Sequence, residues 1–211
     1  ARYVTANKEM ETLISLFKSA SIYAFPSLTK DFEDIQQLEA IGTISDLMPM
    51  VDENRIIVRK GLSLMSKKPL PCLSYLLAKQ NLIGKPISAV NVSFKISPVL
   101  NAAGRMGEPE TALELLLTDE PGKIEDLTDR LLSLNAARQQ NEEDTMKMVS
   151  SKAEDSYIDN DGKIVIIDDP SVPRGLTGSI ASRISNDKRI PVIVLATMDG
   201  KVSGSMRCHD P

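Results

Sequence analysis

Ser97-Pro98-Val99-Leu100-Asn101-Ala102-Ala103-Gly104-Arg105-Met106-Gly107-Glu108-Pro109 leads into a helical run that starts near Glu110. Its composition predicts a tight, polar, glycine-bearing loop suited to meet an anion. Gly104 and Gly107 let backbone approach a ligand closely, Asn101 brings an amide and Arg105 a planar five-donor fork. The helix that follows offers unpaired N–H groups at its start, and a phosphate would suit all four features. The same residues also fit a helix-entry turn whose arginine pairs with a carboxylate. Composition alone leaves both readings open.

Downstream, Thr118-Asp-Glu-Pro-Gly122 is a helix-start signal, and Ile124, Leu127, Leu131 and Leu134 follow at helical spacing. The pattern runs on towards Ala153, which predicts one element of about 30 residues, roughly 45 Å at 1.5 Å per residue. Beyond Asp161-Gly162 the chain turns β-branched over Lys163–Asp168. A helix over Leu176–Ser185, a buried strand over Arg189–Ala196, a Met198-Asp-Gly200 hairpin signal and a strand over Lys201–Ser205 complete a small α/β unit. Its helix starts at Gly175 beside Arg174 and carries Gly178, a second place where an anion fits.

Upstream, helices are predicted over Asn7–Ser19 and Asp31–Ala40, the second delivering the chain into a Gly42-Thr43 turn followed by Asp46. Ile41, Ile44, Leu47 and Met48 flank that carboxylate, so it is expected near apolar surface, where a lone charge needs a partner such as a metal ion. An ordinary helix cap or turn aspartate fits the same residues. Glu53-Asn-Arg55 opens another helix, ended by Lys67-Lys68-Pro69, with Arg55 read as a salt-bridging surface residue. Short helices are expected over Pro71–Lys79, Ile87–Phe94 and Thr111–Leu117.

The chain has 211 residues, 42% hydrophobic and 26% charged, enough for one large core or two modest ones. Twenty-five basic residues against 29 acidic ones give a formal charge of −4, which argues against a protein that coats DNA through a uniformly basic surface and leaves room for a local site. Aromatics are 4% with no Trp, so phosphate contacts must outweigh base stacking in any nucleic-acid site. Cys72 and Cys208 stand far apart without metal-ligand or disulfide spacing, which points to reduced thiols and the cytoplasm. No apolar run reaches the roughly 20 residues a membrane span needs.

Asn101-Ala-Ala-Gly-Arg105 resembles the NAAGR motif of RecJ-type single-strand-specific exonucleases, members of the DHH phosphoesterase superfamily. Three further stretches resemble that family in the same order: Ile41-Gly-Thr-Ile-Ser-Asp-Leu-Met-Pro-Met50, Gly175-Leu-Thr-Gly-Ser-Ile-Ala-Ser-Arg183 and Gly204-Ser-Met-Arg207. The resemblance implies an α/β architecture in which the helical remainder of a DHH catalytic domain (1–75) leads through connecting helices and the NAAGR stretch (76–121). A long linking helix (122–158) then joins a small mixed α/β DHH-associated domain (159–211). It implies a hydrolase that cuts single-stranded DNA from the 5′ end in repair and recombination, with two manganese or magnesium ions. It assigns metal binding and catalysis to Asp46. Substrate-phosphate binding falls to Asn101, Gly104, Arg105, Arg174, Gly175, Ser205 and Arg207. Single-stranded DNA is the implied partner, with a single-strand-binding protein or a helicase as further ones.

This sequence departs from the family in several places. No Asp-His-His triplet occurs, the only histidine is His209, and one carboxylate cannot hold two metals, so the chain is expected to be an inactive piece of a longer nuclease. Ser97-Pro98-Val99 lacks a basic residue common in relatives before NAAGR, and Ser171-Val-Pro-Arg174 lacks a histidine. Arg174 is able to replace it as a phosphate donor but not in proton transfer. Two alternatives stay open. One is an oligonucleotide or cyclic-dinucleotide phosphodiesterase of the same superfamily, although its Gly-Gly-His signature is missing. The other is a non-catalytic module gripping single strands through Arg105, Arg174 and Arg207.

Overall fold

A computed structural model of the chain describes residues 29–198 and 200–209; the helix expected over Asn7–Ser19 lies outside the described residues. The chain divides into two compact units, residues 1–98 with 115–128, and residues 99–114 with 129–211.

The first unit is helical. Its described part opens with α1 (Thr29–Ser45) and α2 (Asp52–Lys67), which pack closely because Gly61 carries no side chain. A Cβ there would lie 2.4 Å from both Gln36 O and Ala40 Cβ. Gln37, 1% exposed, ties the pair to the next helix by donating to Lys68 O (3.1 Å) and accepting from Leu70 N (3.1 Å). Pro71 at the first turn starts α3 (Pro71–Lys79), which buries Cys72, Leu73, Leu76 and Leu77. This helix spans the residues expected of it. The stretch expected as one short helix over Ile87–Phe94 is instead α4 (Ala89–Asn91), opened by a Ser88/Asn91 capping box, and a π-helical turn over Val92–Ile96.

The structure corrects two further expectations. Ser97–Arg105 is not a loop but a helix, α5, with Val99, Ala102 and Ala103 buried on one side at helical spacing. That burial outweighs the low helix propensity of Asn101 and Gly104. Likewise α1 runs straight through Gly42-Thr43. Thr43 and Ser45 turn their hydroxyls onto the carbonyls four residues earlier (2.7 Å each), so neither competes for the backbone in a way that would end the helix.

Helices α6 (Pro109–Leu117) and α7 (Pro121–Asp159) follow. At 39 residues α7 exceeds the expected length, because its distal part is held by the second unit's core. In that unit β1 (Val165–Asp168) pairs parallel with β2 (Val192–Met198), which pairs antiparallel with β3 (Lys201–Arg207), giving the order β1-β2-β3. The crossover between β1 and β2 contains α8 (Thr177–Lys188), preceded by a 3₁₀ turn over Arg174–Leu176. Val149 and Ala153 of α7, Val165 and Ile167 of β1, Ile180 and Ile184 of α8, and Val192 and Val194 of β2 form one core cluster. In the register of the hairpin Val194 faces Ser205, so Ser203, Ser205 and Arg207 lie on the same sheet face as the buried valines. This places β3 beside α8. Among the described residues no helix is long and apolar enough to cross a membrane.

Candidate nucleic-acid interface

The second unit gathers Arg105, the start of α8 and the end of β3. Arg105 closes α5, exposed, and its Nη1 donates to Gly175 O at 3.3 Å. The two backbones approach so closely that a Cβ on Gly175 would lie 2.6 Å from Arg105 O. Glycine is therefore required at 175 by close approach, its φ being unremarkable. One turn on, a Cβ on Gly178 would meet Arg207 Nη2 at 3.2 Å and Ser205 Oγ at 3.5 Å, which places the Arg207 guanidinium over the first turn of α8.

Thr177 is buried at 4% exposure and joins these parts. Its Oγ1 donates to Arg174 O (3.1 Å) and lies 3.1 Å from Ser205 Oγ, tying the 3₁₀ turn to β3. Arg207 Nη1 donates to Met206 O at 2.8 Å. Among the described residues Arg105, Arg174 and Arg207 make no ion pair, whereas Arg138 pairs with Glu142 and Arg130 with Glu108. Arg105 and Arg207 thus lie beside the positive end of a 12-residue helix without a carboxylate partner among the described residues, an arrangement chemically suited to an anion with several oxygens.

The approach to this helix is fixed by Asp169, 5% exposed. It accepts from Lys152 Nζ of α7 at 2.6 Å, from Ser171 N at 2.9 Å and from Ser171 Oγ. Lys152 first, and then Ser171, hold its carboxyl at about 2, well below the ordinary value.

Asn101 and Gly104 are exposed on α5, and Gly104 has open space where a side chain would be. Asp46 belongs to the first unit. It lies in the turn closing α1, its N–H donating to Gly42 O (3.0 Å), and it is exposed instead of pressed against apolar surface. Its carboxylate sits at the negative end of α1, a position that favours a cation. One such group does not hold a metal, and among the described residues no cluster of three or more His, Cys, Asp or Glu side chains could do so. Thr177, Asp169 and Lys152 were not singled out in the sequence. Thr177 lies inside the quoted Gly175–Arg183 stretch and was the legible one of the three.

These features define a small α/β unit connected in sequence to a helical unit through a long helix. No protein-family profile matches the chain. It is, however, 37% identical over 165 residues to the single-stranded-DNA-specific exonuclease RecJ of Thermus thermophilus, covering 78% of this chain and 24% of that protein. The crystal structure of RecJ from the same organism in complex with Mn²⁺ superposes with a TM-score of 0.70 at 35% identity, over 78% of this chain and 24% of that one. Its Mg²⁺ complex gives 0.68 at 34%, over 78% and 25%. The chain matches a partial region of RecJ and spans about a quarter of the length of these relatives.

Proposed function

We propose that this chain is the substrate-gripping part of a metal-dependent exonuclease that degrades single-stranded DNA in the 5′-to-3′ direction, serving DNA repair and recombination in the cytoplasm. The observation that carries the reading is the meeting, in one unit, of Arg105, the Gly175 helix start, Ser205 and Arg207. Similarity to RecJ supplies the substrate class. Arg105 and Arg207 present rigid donor forks, the first turn of α8 adds N–H groups, and Thr177 keeps Ser205 against them. Such a receptor holds phosphate without reading bases, which suits a strand of any sequence. Arg174, Asn101 and Gly104 widen the same contact.

Asp46 is the proposed metal ligand and catalytic carboxylate. The described residues offer no complete ligand set, so hydrolysis is not routed through them. A single-strand-binding protein or a helicase is the proposed protein partner.

The test is binding by the full chain of labelled single strands, duplexes and dinucleotides, together with turnover in manganese. Tight binding of long single strands with no turnover is expected. Preference for duplex would contradict the reading. Binding confined to dinucleotides would transfer it to the oligonucleotide or cyclic-dinucleotide phosphodiesterases.

A further inference from the structure

The first unit carries a second concentration of positive charge. On α2 the buried residues Asn54, Val58, Gly61 and Met65 define the inward side, and Arg55, Arg59, Lys60 and Lys67 lie on the outward one, all exposed. Arg55 and Arg59 are one turn apart, about 6 Å, and Arg55 to Lys67 spans about 18 Å at 1.5 Å per residue. Two hollows line this side, of about 360 Å³ and 560 Å³, and both are bounded by Arg59 and Ser63. The two hollows adjoin at those residues and together line a trough along α2. Its far wall is the Gly84–Ile87 loop carrying Lys85, held against α2 because Ile87 N donates to Ser66 Oγ (2.8 Å).

Among the described residues none of these five cations is in a salt bridge, although six other described cations are. Lys85 Nζ donates to the carbonyl of Asn81 (2.9 Å) and to no other described group. The nearest acidic side chains along the helix, Asp52 and Glu53, sit in its first turn, at the Arg55 end of the row. A net charge of −4 makes an unneutralised row of this kind a local feature of the surface.

We propose that this trough is a backbone track for single-stranded DNA, separate from the Arg105–Arg207 receptor. The proposal rests on the reading of the chain as a single-strand nuclease part. A row of cations rising one helical turn at a time suits a polymer that repeats one anionic group. The exposed Ser63 hydroxyl adds a donor between Arg59 and Lys67. A short acidic peptide fits less well, since the trough offers no aromatic side chain and no closed apolar pocket to seat an anchoring residue. With no ring to stack on, attraction to phosphate dominates and binding is insensitive to sequence.

The experiment uses the whole 211-residue chain and a labelled oligothymidylate of about 20 nucleotides, longer than one such groove occupies. Affinity is followed by anisotropy between about 50 and 200 mM salt. The exposed triple change Arg55→Ala, Arg59→Ala, Lys67→Ala is expected to weaken binding tenfold or more at low salt and to flatten the log–log salt slope by about 2. Arg59→Lys alone is expected to leave the slope unchanged. A triple variant with unaltered affinity and slope overturns the track. So does one that loses a fluorescent Glu-rich peptide while holding DNA as before, which assigns the trough to an acidic protein partner. If Arg105→Ala with Arg207→Ala leaves binding intact while the triple variant weakens it, the receptor reading fails and the track stands.

Discussion

Replacing Gly175 by alanine probes the closest approach in the receptor. The added methyl would sit 2.6 Å from Arg105 O, about 0.8 Å short of ordinary contact, and the atom it meets is backbone. Relief requires α5 and the 3₁₀ turn to separate, which also lengthens the 3.3 Å bond from Arg105 to Gly175 O. Overpacking of this kind costs about 1–3 kcal/mol. The lower chain entropy of alanine in the unfolded state returns about 0.4–1 kcal/mol. A net loss of up to about 2.6 kcal/mol lowers the melting temperature by up to about 10 °C for a chain of this size. Circular dichroism melting gives the stability, and anisotropy with a labelled single strand gives the accompanying loss of affinity. Gly104→Ala is the control for stability. Gly104 lies in α5 with nothing within 4 Å of a Cβ, so alanine there is expected to stabilise by up to about 1 kcal/mol. If both variants melt alike, Gly175 is not required by close approach.

Three other outcomes are expected. Gly61→Ala should destabilise the first unit by about 1–3 kcal/mol, because its methyl would strike Gln36 O and Ala40 Cβ; a melting temperature equal to that of the parent would contradict the packing described. Asp169 is held at about 2 against an ordinary 3.8, so its contribution is present above pH 4 and is lost as the pH falls towards 2. At most about 2 kcal/mol is involved, less after allowance for the half-exposed Lys152, and Lys152→Met should flatten that part of an acid-unfolding curve. Burial pushes the Cys72 thiol up to about 11, whereas Cys208 is exposed. A thiol reagent at pH 8 should therefore modify one cysteine in the native chain and two in denaturant.

The parts of the fold legible in the sequence are those where local signals and burial agree. Pro71 and the apolar spacing behind it mark α3, and the β-branched runs with the Met198–Gly200 turn mark β1, β2 and their hairpin partner. The NAAGR stretch misleads because Asn101 and Gly104 suggest a loop, while Val99, Ala102 and Ala103 bury a helical face only after the tertiary structure forms. For the same reason α7 runs past its expected end: Val149 and Ala153 are anchored by the sheet core, which spacing along a polar stretch does not reveal. The apolar neighbours of Asp46 suggest a carboxylate held near apolar surface, yet Leu47 beside it is itself 85% exposed. In the receptor, glycines and arginines were visible as residue types. Their meeting was not, since it depends on Thr177 bridging two elements 28 residues apart. Arg55, read as a salt-bridging residue, has no ionic partner among the described residues.

A double-mutant cycle of Arg105→Ala and Arg207→Ala on single-strand affinity examines the receptor itself. If the two arginines hold neighbouring oxygens of one phosphate at the start of α8, each single change weakens binding and flattens the salt slope by about 0.7, and the pair departs from additivity by at least about 0.5 kcal/mol. Unchanged affinity in either single variant, or strict additivity in the pair, would mean that the two side chains do not share a ligand.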